Sequence, residues 1–168
     1  IKSFSNNTNR NIAKAKNNNL TLIEGISLKE YSEFVLQNQA FKIDTTQKEK
    51  LFGIISTAQY KGVGEIVGVY TMHNQLCAAV FFVRWNNRII YLNPVSSAEG
   101  KEVMAMFYLI NRLIESSSGR NLLIDFEGSM VPGIARFFEG FGAQPEVYFQ
   151  MSGNNLPFPL RWILKKIR

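Results

Sequence analysis

The sequence predicts an α/β fold, a mixed sheet with helices on both faces. Two patterns carry that expectation. Three apolar, β-branched runs, Glu65–Met72, Leu76–Trp85 and Arg88–Leu92, are separated only by the short polar turns His73-Asn74-Gln75 and Asn86-Asn87. Runs joined so tightly make an antiparallel meander. A long amphipathic segment, Glu102–Ser116, then leads to a short apolar run, Leu122-Leu123-Ile124. A strand–helix–strand order requires a parallel, right-handed crossover, which sets residues 121–126 parallel to residues 88–92. The length of 168 residues is enough for one domain with a substantial core.

Residues 1–19 are polar and Asn-rich, and Asn7–Lys16 predicts a short basic helix, either a solvated arm or a helix that packed on a preceding domain. Leu20–Glu24 reads as a strand closed by Gly25. Ser27-Leu28-Lys29-Glu30 has the form of a capping box, so a helix should run to Gln39 and bury Tyr31, Phe34, Val35 and Leu36. A second helix opens at Thr45 or Thr46 and runs to Tyr60 on an apolar face of Leu51, Ile54 and Ile55. Leu76–Val83 is apolar on both faces, the mark of a central strand covered on both sides.

The crossover helix carries Val103, Met106, Phe107, Ile110, Leu113 and Ile114 at three- and four-residue spacing. After residues 121–126, a helix with Ile134, Phe137, Phe138 and Phe141 on one side has Ser129 as a cap, Pro132 in its first turn and Gly142 at its end. Glu146–Met151 predicts a last strand. The tail LPFPLRWILKKIR is basic and amphipathic, suited to a membrane surface, the body of the protein or a further domain. No internal repeat is present. The expected organisation is a basic arm or domain remnant at 1–19, one domain at 20–155 and the tail at 156–168.

Several classes of chemistry are excluded. The single cysteine, Cys77, sits in an apolar run and allows no disulfide framework within the chain. The single histidine, His73, excludes a His-rich metal site, and its place beside a hairpin turn suits a structural or solvated role. No metal is expected. No run of about 18 apolar residues suggests a membrane span, and no signal peptide is evident, so the expected location is cytoplasmic. A first residue of Ile1 suggests a piece of something longer. The net charge of +6 is compatible with a phosphate-bearing small molecule, RNA or an anionic surface and selects none of them.

The change from antiparallel to parallel pairing marks the candidate site. Two strands whose helices leave from both ends can splay, and the cleft would be lined by Asn93–Lys101 and Asp125–Ser129. In that cleft Asp125 or Glu127 could accept a proton from an attacking amine, while Ser129 holds a carbonyl oxygen. Alternatively, and as the plainer reading, Ser129 caps the following helix and the two carboxylates favour its positive end. Arg84, Tyr91 and Asn93 could hold a substrate carboxylate or phosphate, or serve as ordinary cross-strand and solvated residues. Phe81, Phe82, Trp85 and Phe107 read as core.

The stretch Ala135-Arg136-Phe137-Phe138-Glu139-Gly140-Phe141-Gly142, within this order of elements, resembles the GNAT superfamily of acyltransferases over residues 20–151. The resemblance implies acyl transfer from acetyl-CoA or another acyl-CoA to a small-molecule or peptide amine. It sets Val95, Ser96, Ser97, Gly100 and Lys101 where the family's pyrophosphate loop lies. There Gly100 fits the family pattern, Glu99 brings a negative charge and Lys101 offsets it. Phe138 stands where many relatives carry a tyrosine general acid. The corner Asp125–Ser129 and the stretch Asn9–Ala15 further resemble the second half of duplicated GNAT proteins related to Fem-type aminoacyl transferases. That likeness implies a preceding GNAT-like half and, as an alternative donor, aminoacyl-tRNA used on a cell-wall precursor. A degenerate GNAT-fold module that only binds a ligand or partner is a third expectation.

Overall fold

The computed structural model describes residues 4–38, 44–127 and 131–147. In chain order the elements are α1 (Asn6–Lys16), β1 (Thr21–Glu24), α2 (Leu28–Asn38), α3 (Thr45–Tyr60), β2 (Gly64–Tyr70), β3 (Leu76–Trp85), β4 (Arg88–Ser96), α4 (Ala98–Glu102), α5 (Ala105–Ser117), β5 (Leu123–Asp125) and α6 (Pro132–Glu139). The sheet runs β1-β2-β3-β4-β5, antiparallel up to β4 and parallel between β4 and β5. Both the meander and the crossover are as expected. Asn86 and Asn87 each take positive φ, the geometry that a two-residue hairpin turn demands and that asparagine tolerates.

The pleat divides the core. Val67, Val69, Val80 and Phe82 face one layer with Ile12, Ala15, Leu109, Ile110 and Leu113 of α1 and α5. Ile66, Ala79 and Phe81 face the other, against Tyr31, Phe34, Val35 and Ile55 of α2 and α3. Residues 77–82 of β3 are all buried, which confirms it as the central, doubly covered strand.

Several expectations need correction. The helix at the N-terminus is not a solvated arm. Ser5 caps it by accepting from the Thr8 amide, Ile12 and Ala15 enter the core, and Lys16 pairs with Glu115 of α5 at 3.6 Å. The crossover helix starts at Ala105 rather than Glu102 and is preceded by a separate short helix, α4, because Met104 adopts a left-handed conformation (φ 59°) that interrupts the i→i−4 ladder between them. At α2, Ser27 Oγ accepts from the Glu30 amide, but the Glu30 carboxylate turns away from the box and accepts from the Tyr70 hydroxyl at 2.6 Å. A complete capping box forms instead at α3, between Asp44 and Gln47.

Leu36 and Ile54 are exposed, since one residue step turns a helix side chain about 100° from its buried neighbours Val35 and Ile55. Trp85 and Ile134 are also exposed. Val131, not Ser129, occupies the N-cap position of α6. Glu146 and Val147 are exposed and outside any strand. Gln39, Ser129, residues 148–151 and the tail at 156–168 lie outside the described residues.

Among the described residues no helix is long and apolar enough to cross a membrane. None of their His, Cys, Asp and Glu side chains gather in threes as for a metal ion.

Candidate functional site

Pairing between β4 and β5 spans three residue pairs and ends at Ile90 opposite Asp125. β4 continues to Ser96, so about 20 Å of strand beyond Ile90 has no partner on that side among the described residues. The β4 edge that faces the candidate cleft is thus unpaired among the described residues.

The same stretch of β4 is kinked. Phe81 stands opposite Leu92 and Ala79 opposite Val95. Val80 thus faces two residues, Asn93 and Pro94, which defines a bulge in β4. Asn93 takes φ 44°, and Pro94 removes a ladder N–H. α2 holds the bulge from below. The Tyr31 hydroxyl donates to the Asn93 carbonyl at 2.7 Å and accepts from Asn93 Nδ2 at 2.8 Å. Tyr31 is fully buried, and burial raises its phenol far above the ordinary tyrosine value, with the Asn93 hydrogen bond partly opposing the shift. Asn93, expected to meet substrate, instead has both its carbonyl and its amide group tied to α2.

After the bulge, the chain is pressed onto β3. The Ser97 amide donates to the Cys77 carbonyl at 3.0 Å, and Ser97 Oγ both donates to that carbonyl and caps α4 by accepting from the Gly100 amide. Val95 and Gly100 are buried, Ser96 and Ser97 half-buried, and Lys101 exposed. The amides of Ser97, Gly100 and Lys101 are thus already used. Those of Ala98 and Glu99 are left without a hydrogen-bond partner among the described residues. Cys77 lies beneath this loop. Burial first, and the Glu99 charge second, push its thiol up to about 11.

On the β5 side, Asp125 is occupied twice. Its Oδ2 accepts from Arg88 Nη1 at 2.9 Å, and its Oδ1 accepts from the Glu127 amide at 2.8 Å. That second bond is an Asx turn, and it lifts Glu127 into positive φ (57°) with its side chain exposed. No hydrogen bond or ion pair engages the Glu127 carboxylate among the described residues.

The cleft wall between β4, β5 and α6 is aromatic. Phe126 and Phe138 stack at 4.4 Å, and Tyr91 meets both edge-on at 5.6 and 5.7 Å. Tyr91 is buried, with its hydroxyl donating to Met106 Sδ at 2.9 Å. Arg84 lies towards the opposite end of the sheet. It pairs with Glu65 at 2.7 Å and borders a groove of about 60 Å³ together with Glu24, Phe82 and Arg112. The structure therefore gathers Asn93 and the Ser97–Lys101 loop on β4's side and Asp125 and Glu127 on β5's, buries Tyr91 within the aromatic wall with its hydroxyl on Met106, and sets Arg84 elsewhere. Tyr31 was missed as a site residue. Its signal is only a buried aromatic on a helix face, indistinguishable from core.

No protein-family model matches the sequence, and no curated protein does. Solved structures do. The chain is similar to a possible acetyltransferase from Clostridium difficile 630, with TM-score 0.60 and 9% identity over 82% of this chain and 99% of that one. It is similar to a histone acetyltransferase HPA2 and related acetyltransferase from Corynebacterium glutamicum, with TM-score 0.63 and 12% identity over 82% and 92%. It is also similar to FemX, with TM-score 0.67 and 11% identity over 83% of this chain, and there it spans only 54% of that chain's length. The fold is that of the GNAT acetyltransferases.

Proposed function

We propose that the chain is an N-acyltransferase domain that moves an acyl group from an acyl-CoA thioester to an amine. The observation that carries this reading is the end of β4–β5 pairing at Ile90 and Asp125, with β4 running on alone to Ser96. An unpaired strand edge offers a row of N–H and C=O groups. The pantetheine arm of coenzyme A is an extended, amide-bearing chain and suits such an edge. The likeness to acetyltransferase structures supports the same reading, and one of them, from Clostridium acetobutylicum, is described with acetyl-CoA.

On this reading the diphosphate end of the donor lies at the Val95–Lys101 loop. The Ala98 and Glu99 amides are unspent there and Lys101 supplies charge, against the opposing carboxylate of Glu99. The amine attacks the thioester carbonyl, an N–C bond forms, the C–S bond breaks and the thiolate leaves. Glu127 takes the amine proton, because Asp125 is committed to Arg88 and to the Glu127 amide. Ser129, outside the described residues, is proposed to hold the carbonyl oxygen. Arg84 and Tyr91 have no part in this reading. Positioning of two reactants in one cleft supplies most of the acceleration such a reaction needs.

Titration calorimetry with coenzyme A and acetyl-CoA tests the proposal. Saturable binding is expected, and no heat at millimolar ligand would overturn it. Binding of charged tRNA with a steep salt dependence, in place of coenzyme A, would establish the Fem-like alternative.

A further inference from the structure

Tyr31 and Asn93 stand 62 positions apart in the chain and make two hydrogen bonds to one another. A buried tyrosine needs only one partner for its hydroxyl. Here a single phenol satisfies both the carbonyl and the side-chain amide of one residue, and that residue is the bulged one. Asparagine tolerates a left-handed backbone at less cost than other non-glycine residues, but the bulge is fixed in one geometry only where its surroundings hold it. Among the described residues, the hydrogen bonds that do so from the α2 side come from Tyr31.

The bulge lies three positions beyond Ile90, where β4 parts from β5. Its geometry sets the direction of the free edge from Tyr91 to Ser96 and the point where Ser97 meets the Cys77 carbonyl. We infer that Tyr31 is the positioning residue of the donor cleft: from α2, through Asn93, it fixes the β4 edge on which the acyl donor lies. The inference rests on the acyl-CoA reading for the identity of the donor, but the clamp itself can be tested without it.

The test compares wild type, Tyr31→Phe, Asn93→Gly and the double variant by amide hydrogen exchange and by coenzyme A calorimetry. Tyr31→Phe keeps the shape of the side chain and removes only the hydroxyl. In that variant the Leu92, Val95 and Ser97 amides are expected to exchange about tenfold faster, the effect of a lost hydrogen bond or two, while the Val69 amide of β2 is unchanged. The Kd for coenzyme A should rise by a similar factor. Glycine at 93 accepts positive φ without help and has no side-chain amide, but its backbone carbonyl still accepts from Tyr31. With the amide bond and the left-handed strain both gone, adding Tyr31→Phe to Asn93→Gly should change exchange and affinity less than it does in wild type, the remainder being the carbonyl bond. Equal β4 exchange in Tyr31→Phe and wild type, or equal losses with and without Asn93, would overturn the inference. If Tyr31→Phe does not fold, the double variant against Asn93→Gly carries the comparison. If wild type binds no coenzyme A, the donor reading fails and the exchange data alone decide the clamp.

Discussion

A methyl group placed on Gly100 would lie 1.9 Å from the carbonyl oxygen of Cys77 and 2.8 Å from its carbon. The obstruction is backbone of the central strand, which cannot swing aside as a side chain could. Gly100 is therefore required by the seating of the β4–α4 loop on β3, whatever ligand the loop meets. Gly100→Ala is expected to cost about 1–3 kcal/mol, the usual range for overpacking a tight site. A urea titration would read this as a lower midpoint at unchanged slope. A variant as stable as wild type would mean that the loop moves off β3 without penalty.

The two carboxylates of the β5 corner should behave differently. Asp125→Asn breaks an ion pair with a half-exposed arginine, worth about 0–1 kcal/mol, and should weaken the turn at Glu127. Glu127→Gln should leave stability within about 0.5 kcal/mol. On the proposed chemistry it should lower the transfer rate by roughly 10²–10⁴-fold, the contribution typical of a positioned base. If Glu127→Gln transfers acyl groups as fast as wild type, the proton goes elsewhere.

The N-terminal helix should be indispensable to the fold. Its start is stitched to the end of α6 by the Ser5 amide on the Gly140 carbonyl, by Phe4 against Phe141 and by Thr8 buried under Gly140. Ile12→Ala should cost about 2–5 kcal/mol, whereas Lys14→Ala, on the exposed face, should be near neutral. Thermal unfolding of the two variants distinguishes a docked helix from a dispensable arm, which would tolerate both.

Alkaline pH should expose the burial of Cys77. Its thiol is pushed up to about 11 from an ordinary value of 9.0. Between those values the folded protein keeps a proton that the unfolded chain releases, so stability falls as pH rises. Below pH 9 this group contributes no pH dependence. Buried tyrosines add to the fall only above pH 10, their ordinary value. Denaturant midpoints between pH 9 and 10 should therefore decline in wild type, by at most about 1.4 kcal/mol per pH unit, and should stay flatter in Cys77→Ala. Parallel slopes would show that the thiol titrates freely.

The meander and the crossover were legible because both rest on local signals: period-two apolar runs, asparagine turns and a long amphipathic helix. The short β4–β5 pairing was foreshadowed by topology, since two parallel strands whose helices leave from both ends can splay. Side-chain commitments were not legible. The Glu30 of an apparent capping box goes to Tyr70, 40 positions away, and Tyr31 goes to Asn93. Sequence spacing reports the partners that a residue can reach along its own helix, not those that packing delivers across the sheet. The burial of Tyr91 was not legible for the same reason, because strand alternation shows that it shares a face with Ile89 but not that α5 and α6 close over it. The break at Met104 left no trace, since methionine is a good helix former.

The phenyl ring of Phe138, stacked on Phe126, has no proton to give to a departing group. That limits what can depart. An alkoxide released from an ester is a strong base and needs a proton as its bond breaks. A thiol ionises near pH 8.5, so a thiolate can leave at neutral pH without an acid and take its proton from water afterwards. On the proposed reading, the stacked pair Phe126 and Phe138 supplies no proton at that wall, and a thioester is the donor whose leaving group asks for none; the choice of donor would then be made by what the donor leaves behind.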